Sequence, residues 1–440
     1  MANRLREWWT LQPEEERQSA DNPLTPLSDA QRRNTLPLLT LAFGWGFLVT
    51  GLLTGGELGK GMSFWPDAVQ ASFFGNLANF VIGAIVGYMG YKTACNSGLL
   101  YRLVYGRLGA YVPVLFVALL TIIWQGIVVG AFGFAWTQSF DSPAFYAVAI
   151  LAGLLFTVTT YYGVKALEWV SIPSVVILVG VGLYTIELNV GQAGGWDAFL
   201  AISSDKAAAL DEPRSVLSGA NLVIGSWIVG AVVMAEYTRF AKRAWVALAI
   251  PFIVLIVAQW FLQIVGALGS VMYGGDGDFT SYLREQAGLI AWLGVIGMSV
   301  ALWTTGDANL YLPVIQTSSI MRRPRRVMTV ICGLLGTVVG LVIYQFFGEW
   351  IAALAALVPP LIGPVIAHYY LVARGKMDPD NEVALPFINW AALIAYPLGL
   401  VSYFNAPDWL VPALSGLAGS MVAYLVLYYL VPPLRGLAKA

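Results

Sequence analysis

Residues 42 to 51 read Ala42-Phe43-Gly44-Trp45-Gly46-Phe47-Leu48-Val49-Thr50-Gly51. They lie inside an apolar window, 36-58, which is long enough to cross a bilayer, since about 20 residues suffice. Glycine costs a helix interior about 1 kcal/mol relative to alanine, so three glycines and Thr50 so close together predict an interruption at mid-membrane. Unwound backbone leaves N–H and C=O groups that lipid cannot satisfy, and it survives at that depth only buried in protein or lining a cavity. A second glycine-rich and polar stretch, Ile224-Gly225-Ser226-Trp227-Ile228-Val229-Gly230, occupies the window 216-238, five windows further along. Paired interruptions in corresponding halves point to a site between inverted repeats, where bare carbonyls hold a cation and half-helix N-termini face a guest molecule. Glycines that only let helices approach closely are the alternative at each position.

The rest of the chain has the same character. Its 440 residues are 58% hydrophobic and 11% charged, with a mean hydropathy of +0.72, whereas a soluble domain carries about 25% charged residues. A soluble enzyme is excluded, and 24 basic against 25 acidic residues leave no positive excess for a nucleic-acid backbone. Two cysteines, Cys95 and Cys332, and one histidine, His368, offer no basis for zinc, haem or a disulfide framework. No cofactor is expected. Hydropathy predicts twelve spans, over 36-58, 68-90, 111-136, 143-163, 166-188, 216-238, 244-272, 288-314, 327-347, 349-372, 386-404 and 409-431. Residues 1-35 carry Glu14-Glu15-Glu16 and Arg32-Arg33, lack the apolar core of a signal peptide, and read as a polar tail.

Lys and Arg are retained in cytoplasmic loops. With the N-terminus inside, the outer loops hold only Lys60, Lys206, Arg214 and Arg284, and the other 20 basic residues fall on the inner side. One missed or invented span would scramble that asymmetry, so the count supports twelve helices with both termini cytoplasmic.

The eighth window contains Ala301-Leu302-Trp303-Thr304-Thr305-Gly306-Asp307-Ala308-Asn309. On a helix, Thr304 and Thr305 bring both hydroxyls to the Ala301 carbonyl. Together with carbonyls from a broken first helix they make about five oxygen ligands for a hard cation, with no buried charge. Back-bonding of each threonine to its own helix is the alternative. Asp307 is either a proton carrier or ion ligand, because intramembrane carboxylates are costly and functional by default, or a residue at a wet helix end.

Around these windows the chain resembles the bacterial cytosine permeases of the nucleobase:cation symporter-1 family. The resemblance rests on Thr54-Gly55-Gly56 with Leu58-Gly59-Lys60-Gly61, Gly75-Asn76, Trp124 after Pro113, Thr157-Val158-Thr159 with Gly163, and Gly225-Ser226-Trp227. It continues through Arg239-Phe240, Trp303-Thr304-Thr305 with Asp307, Leu310-Tyr311, and Pro359-Pro360 before Gly363, without large gaps from Pro37 to Tyr370. It implies an all-α membrane protein with a leucine-transporter-like fold. A cytoplasmic tail (1-35) would precede five helices over 36-188 and five in inverted repeat over 216-372, with two more over 386-431. Such a protein works by alternating access. The resemblance also implies that a flat base stacks between Trp124 and Trp227, and that sodium is held by Gly44, Phe47, Ala301, Thr304 and Thr305. Stacking suits a heteroaromatic, whose π faces take the rings while its rim takes few polar groups.

The chain departs from the cytosine pattern at that rim. Val229 stands where cytosine permeases carry serine, and Ala301 and Gly306 stand where they carry asparagine. Each buried polar group left unpaired costs about 1 to 3 kcal/mol, so cytosine is disfavoured, and the smaller residues at 301 and 306 are expected to leave room for a larger ring. Gln125, Ser226 and Asn309 remain as uncharged polar candidates. The expected substrate site is therefore Trp124, Gln125, Ser226, Trp227, Val229, Gly306 and Asn309. The expected function is sodium-coupled import of a nucleobase or related heteroaromatic (purine, pyrimidine or thiamine precursor) across a bacterial inner membrane. Proton coupling through Asp307 is one rival and a non-transporting receptor or channel another. An enzyme is not expected, because no nucleophile and base stand at a suggestive spacing. Glu236, near Arg239 and Lys242, reads as a structural ion-pair partner, His368 as a solvated residue near the inner face, Cys95 and Cys332 as packing residues, and Pro359, Pro360 and Pro364 as a bending point.

Overall fold

The computed structural model describes residues 9, 10, 14, 22–162, 164–273, 289–379 and 385–436. Of the residues singled out above, Glu15, Glu16, Gly163 and Arg284 lie outside the described residues. The helices of the first half are α1 (Thr35–Gly46), α2 (Thr50–Gly61), α3 (Val69–Thr93), α4 (Ser97–Tyr105), α5 (Tyr111–Thr137), α6 (Pro143–Tyr161), α7 (Val164–Ala193) and α8 (Trp196–Ala208). Those of the second half are α9 (Val216–Val232), α10 (Ala235–Thr238), α11 (Ala244–Pro251), α12 (Trp260–Tyr273), α13 (Leu289–Met321), α14 (Arg325–Gly340), α15 (Phe347–Leu357) and α16 (Pro359–Ala367), with α17 (Trp390–Phe404) and α18 (Pro412–Leu430) at the end. Among the described residues, every expected window contains helix, with non-helical ends at 386–389 and 409–411. Among the described residues, eight helical tracts are long and apolar enough to cross a membrane, and the bent pair α1/α2 makes a ninth. The other three windows hold α13, 33 residues long, and the shorter α14 and α17, of 16 and 15 residues. The sequence reading missed α4 and α8, which lie between spans.

The first interruption falls where the glycines place it. α1 and α2 meet at 41° across Phe47, Leu48 and Val49. Phe47 adopts φ −82°, ψ 68°, an inverse γ-turn, and the Leu48 N–H donates to Gly46 O at 2.9 Å instead of reaching back four residues.

The second interruption corrects the sequence reading. α9 winds without a break through Ile224–Gly230, and the irregular residues are Val233 and Met234, ahead of α10. Packing explains Gly225: a Cβ there would lie 1.9 Å from the Ile351 carbonyl oxygen, so that glycine admits α15 and does not unwind α9.

α2 lies along α12 and α9 along α3, the reciprocal exchange of partners that two repeated halves produce. At the first crossing a Cβ on Gly266 would sit 2.0 Å from the Leu52 carbonyl oxygen. Without a hydrophobic drive between helices in lipid, contacts this close supply the adhesion. On the N-terminal face the chain before α1 is strapped to neighbouring ends. Leu27 N–H donates to Ala94 O (3.0 Å), Arg33 N–H to Phe240 O (2.9 Å) and Arg32 Nη1 to Ala241 O (2.7 Å). Arg239, fully buried, donates to Asn22 O at 2.9 Å.

Candidate functional site

The kink between α1 and α2 redistributes backbone donors. In a continuous helix the N–H groups of Leu48, Val49, Thr50 and Gly51 would serve the carbonyls of Gly44, Trp45, Gly46 and Phe47. Here Leu48 N–H turns to Gly46 O, Gly51 N–H to Leu48 O (3.0 Å), and Val49 N–H leaves its own helix to donate to Thr305 Oγ1 (3.4 Å). The carbonyls of Gly44 and Phe47 thereby lose their helical donors, at a kink that Val49 N–H ties to α13. Across from them, Thr304 and Thr305 donate to Ala301 O at 2.9 and 2.8 Å, and Thr304 Oγ1 also meets Ser174 Oγ of α7 at 2.9 Å. Ala301, Thr304, Thr305 and Ser174 are buried. The back-bonding alternative is thus realised, and it concentrates oxygens at one point without removing them from the kink. Hydroxyl and carbonyl oxygens with no acid among them suit a monovalent hard cation, and among the described residues no cluster of His, Cys, Asp and Glu could hold a metal. Ser174 was missed because a lone serine in an apolar stretch carries no spacing signal.

Next to this cluster is a cavity of about 30 Å³ walled by Trp45, Leu48 and Thr50 at the kink, Thr121 and Trp124 of α5, Ser226, Trp227, Val229 and Gly230 of α9, and Asn309 and Leu312 of α13. Five of the seven expected substrate residues, Trp124, Ser226, Trp227, Val229 and Asn309, line it. Gln125 and Gly306 do not. Gln125 is fully buried with its side chain against Gly336 of α14, and neither amide atom has a hydrogen-bond partner. A Cβ on Gly306 would fall 2.5 Å from the Phe156 ring, so the space at that position belongs to α6 and adds no room for a larger guest. Ala301 is likewise fully buried and does not line the cavity.

Trp45 is the aromatic that sequence reasoning passed over, although it lies in the stretch that predicted the kink. Its ring meets Trp227 edge-on at 5.1 Å and Tyr237 at 4.2 Å. The hydrogen-bonding rim is sparse. Ser226 and Thr121 spend their protons on the Val223 and Ala118 carbonyls (2.8 and 2.9 Å), leaving oxygen lone pairs. Asn309 Nδ2 is buried without a partner. The wall therefore combines aromatic faces, hydroxyl acceptors and the Asn309 amide donor. A cavity this size holds about one water, smaller than a planar ring, and the Trp227 ring is folded over Gly230 at its wall.

A second cavity of about 540 Å³ opens on the face bearing Glu57, Lys60, Arg214 and Glu349. Phe347 lines it and packs edge-on at 6.0 Å against Trp124, which lines the small cavity.

Asp307 is 1% exposed and turned away from both cavities. Its Oδ1 accepts from Thr159 (2.5 Å) and Thr160 (3.3 Å) of α6, and the Trp303 indole N–H donates to Thr159 Oγ1 (3.2 Å). It does not sit at a wet helix end. Glu236 is fully buried and accepts from the Ser97 N–H at 3.1 Å, where it caps the positive end of α4. His368 corrects the solvated reading: its Nδ1 and the Tyr424 hydroxyl are 2.6 Å apart against α18. Cys95 and Cys332 are buried and not joined in a disulfide, and α15 and α16 are separated at Val358, just before Pro359 and Pro360.

Residues 26–431 match the family described as permease for cytosine/purines, uracil, thiamine, allantoin. The chain is 29% identical over 411 residues to the cytosine permease of Escherichia coli K12, covering 93% of this chain and 95% of that one. It is 23% identical over 476 residues to the hydantoin permease of Microbacterium maritypicum, covering 97% and 91%. Among solved structures it resembles inward-facing Mhp1 with a TM-score of 0.80 at 18% identity, covering 95% of each chain. Mhp1, a nucleobase-cation-symport-1 family transporter, also matches in a closed conformation with bromovinylhydantoin bound (TM-score 0.76, 18% identity, 94% and 97% covered). These likenesses establish the fold.

Proposed function

Because the chain belongs to the family of permeases for cytosine and purines, uracil, thiamine and allantoin, and is a multi-pass membrane transporter of small heteroaromatic compounds, we propose that it is a sodium-coupled importer working by alternating access. One observation carries the coupling: the kink withdraws backbone donors from Gly44 and Phe47, and its Val49 N–H reaches the Thr305 hydroxyl, which shares the Ala301 carbonyl with Thr304. An ion there would complete its shell with α1 carbonyls and α13 hydroxyls, and so order the kink that also supplies Trp45, Leu48 and Thr50 to the substrate cavity. On this reading α13, α14 and α17 also span, giving two five-helix repeats over 36-188 and 216-372 with 386-431 appended. Both termini face the cytoplasm of a bacterial cell, and the vestibule faces outward.

The guest is a flat ring between Trp124 and Trp227 that offers an acceptor to Asn309 and N–H groups to Thr121 and Ser226. Apolar Val229 and the withdrawal of positions 301 and 306 from the wall argue against cytosine as the preferred substrate. The test is uptake into proteoliposomes from a panel of purines, pyrimidines, hydantoins and thiamine precursors, under separate inward sodium and proton gradients. Accumulation driven by sodium, abolished in Thr304→Ala/Thr305→Ala and weakest for cytosine, is the expected result. Cytosine as the best substrate, or sodium stimulation that survives the double substitution, contradicts it. A second reading, proton coupling, rests on Asp307, a buried carboxylate held by two threonine hydroxyls, and predicts uptake that follows the proton gradient and is lost in Asp307→Asn.

A further inference from the structure

Between α11 and α12 the helix widens over Phe252–Gln259, directly after Pro251, whose missing N–H disrupts the regular ladder. Such wide turns in helices concentrate at functional sites. Gln259 closes the segment and is fully buried. Its Nε2 donates to the Gly46 carbonyl at 2.6 Å. Gly46 ends α1, and its carbonyl would take the Thr50 N–H in an unbroken helix. Here it takes the Leu48 N–H and the Gln259 amide. The Gln259 Oε1 has no partner and lies against Gly51, where a Cβ would be 2.8 Å away. One turn further along, Gln263 accepts from Asn76 Nδ2 at 2.6 Å and so ties α12 to α3 without touching the kink.

We propose that Gln259 is a positioning residue for the coupling ion. By giving the Gly46 carbonyl a second donor from the α12 side, beside the Leu48 N–H and in the place of the Thr50 N–H of a continuous helix, it clamps the unwound backbone at membrane depth. It thereby fixes the turn that carries the Gly44 and Phe47 carbonyls, the α1 ligands of the reading given above, and whose Val49 N–H reaches Thr305 Oγ1. Gln259 touches neither ion nor guest, and its effect is on how readily the ion binds. This rests on the sodium reading given above.

The experiment is heat denaturation of the detergent-purified full chain as sodium is titrated against a choline background, with sodium itself as the probe. Gln259→Met is expected to raise the half-saturating sodium concentration about tenfold, the equivalent of one buried hydrogen bond. Gln263→Met is expected to lower the melting temperature without moving that concentration. Half-saturation in Gln259→Met within about twofold of the unmodified protein, or an equal shift in both variants, overturns the proposal, since a loss of general stability moves melting temperatures and not ion affinity. If Gln259→Met does not fold, Gly51→Ala, whose methyl presses on the Gln259 Oε1, is expected to show the same shift, and an unchanged half-saturation there overturns the proposal as well. An unmodified protein that sodium does not stabilise at all rejects the coupling reading itself and this inference with it.

Discussion

Asn309, Val229, Trp45 and Trp227 line the small cavity, and the proposed function gives the first two the choice of guest. Because the Asn309 Nδ2 is buried without a partner, Asn309→Ala is expected to raise the KM for the best substrate about tenfold with little change in maximal rate, as read from initial uptake. A lowered maximal rate at constant KM would place Asn309 elsewhere in the cycle. Gly306 behaves as a packing residue. Its Cβ clash with Phe156 predicts that Gly306→Ala costs about 1 to 3 kcal/mol of stability, and that Phe156→Ala in the same chain recovers part of it, a coupling that a double-mutant cycle on melting measures. Trp124, Trp227 and Asn309, singled out from the sequence, are brought together at the wall of one cavity. The sequence left Trp45 unread because tryptophan within a glycine-rich kink looked like part of the kink, and it misassigned Gln125 and Gly306 because helical spacing alone does not say which neighbour, α14 or α6, stands across from them.

At the level of helices, glycine has two uses in this fold, and the sequence cannot tell them apart. In 42 to 51 the glycines coincide with an interruption, whereas in 224 to 230 Gly225 only admits the backbone of α15. The interruption in the sixth span falls at Val233 and Met234, within an apolar run that carries no glycine, proline or polar residue to announce it. The widened turn at Phe252–Gln259 was equally silent, since Pro251 alone does not forecast it. The crossing of α2 and α12 predicts that Gly266→Ala, which drives a methyl into the Leu52 carbonyl, lowers the melting temperature of the purified protein more than alanine at Gly180 or Gly191, where nothing lies within 4 Å. Equal effects at the three positions would show that the crossing is looser than it looks.

Across the whole molecule, two features have opposite polarity. The N-terminal strap of Asn22 to Asn34 closes the face that holds most of the Lys and Arg, and the vestibule of about 540 Å³ opens on the other. With Cys95 and Cys332 replaced, a cysteine at Gln345 in the vestibule is expected to react with an impermeant maleimide on intact cells, and one at Arg243 only after lysis. The reverse pattern would invert the topology. The leucine-transporter-like fold was read from the family resemblance, whereas the paired glycine windows marked one real interruption and one continuous helix. The conformational state was not legible, because it depends on which side chains fill a cavity of about 30 Å³. Everything functional converges on whether the oxygens freed at the kink, with Thr304 and Thr305, hold an alkali cation. The most direct measurement is equilibrium binding of radioactive sodium to the purified protein, with and without the best substrate. Saturable binding that the substrate tightens, as linkage requires, and that disappears in Thr304→Ala/Thr305→Ala is the predicted result. Absence of saturable binding in the unmodified chain, or unaltered binding in the double variant, would contradict the account.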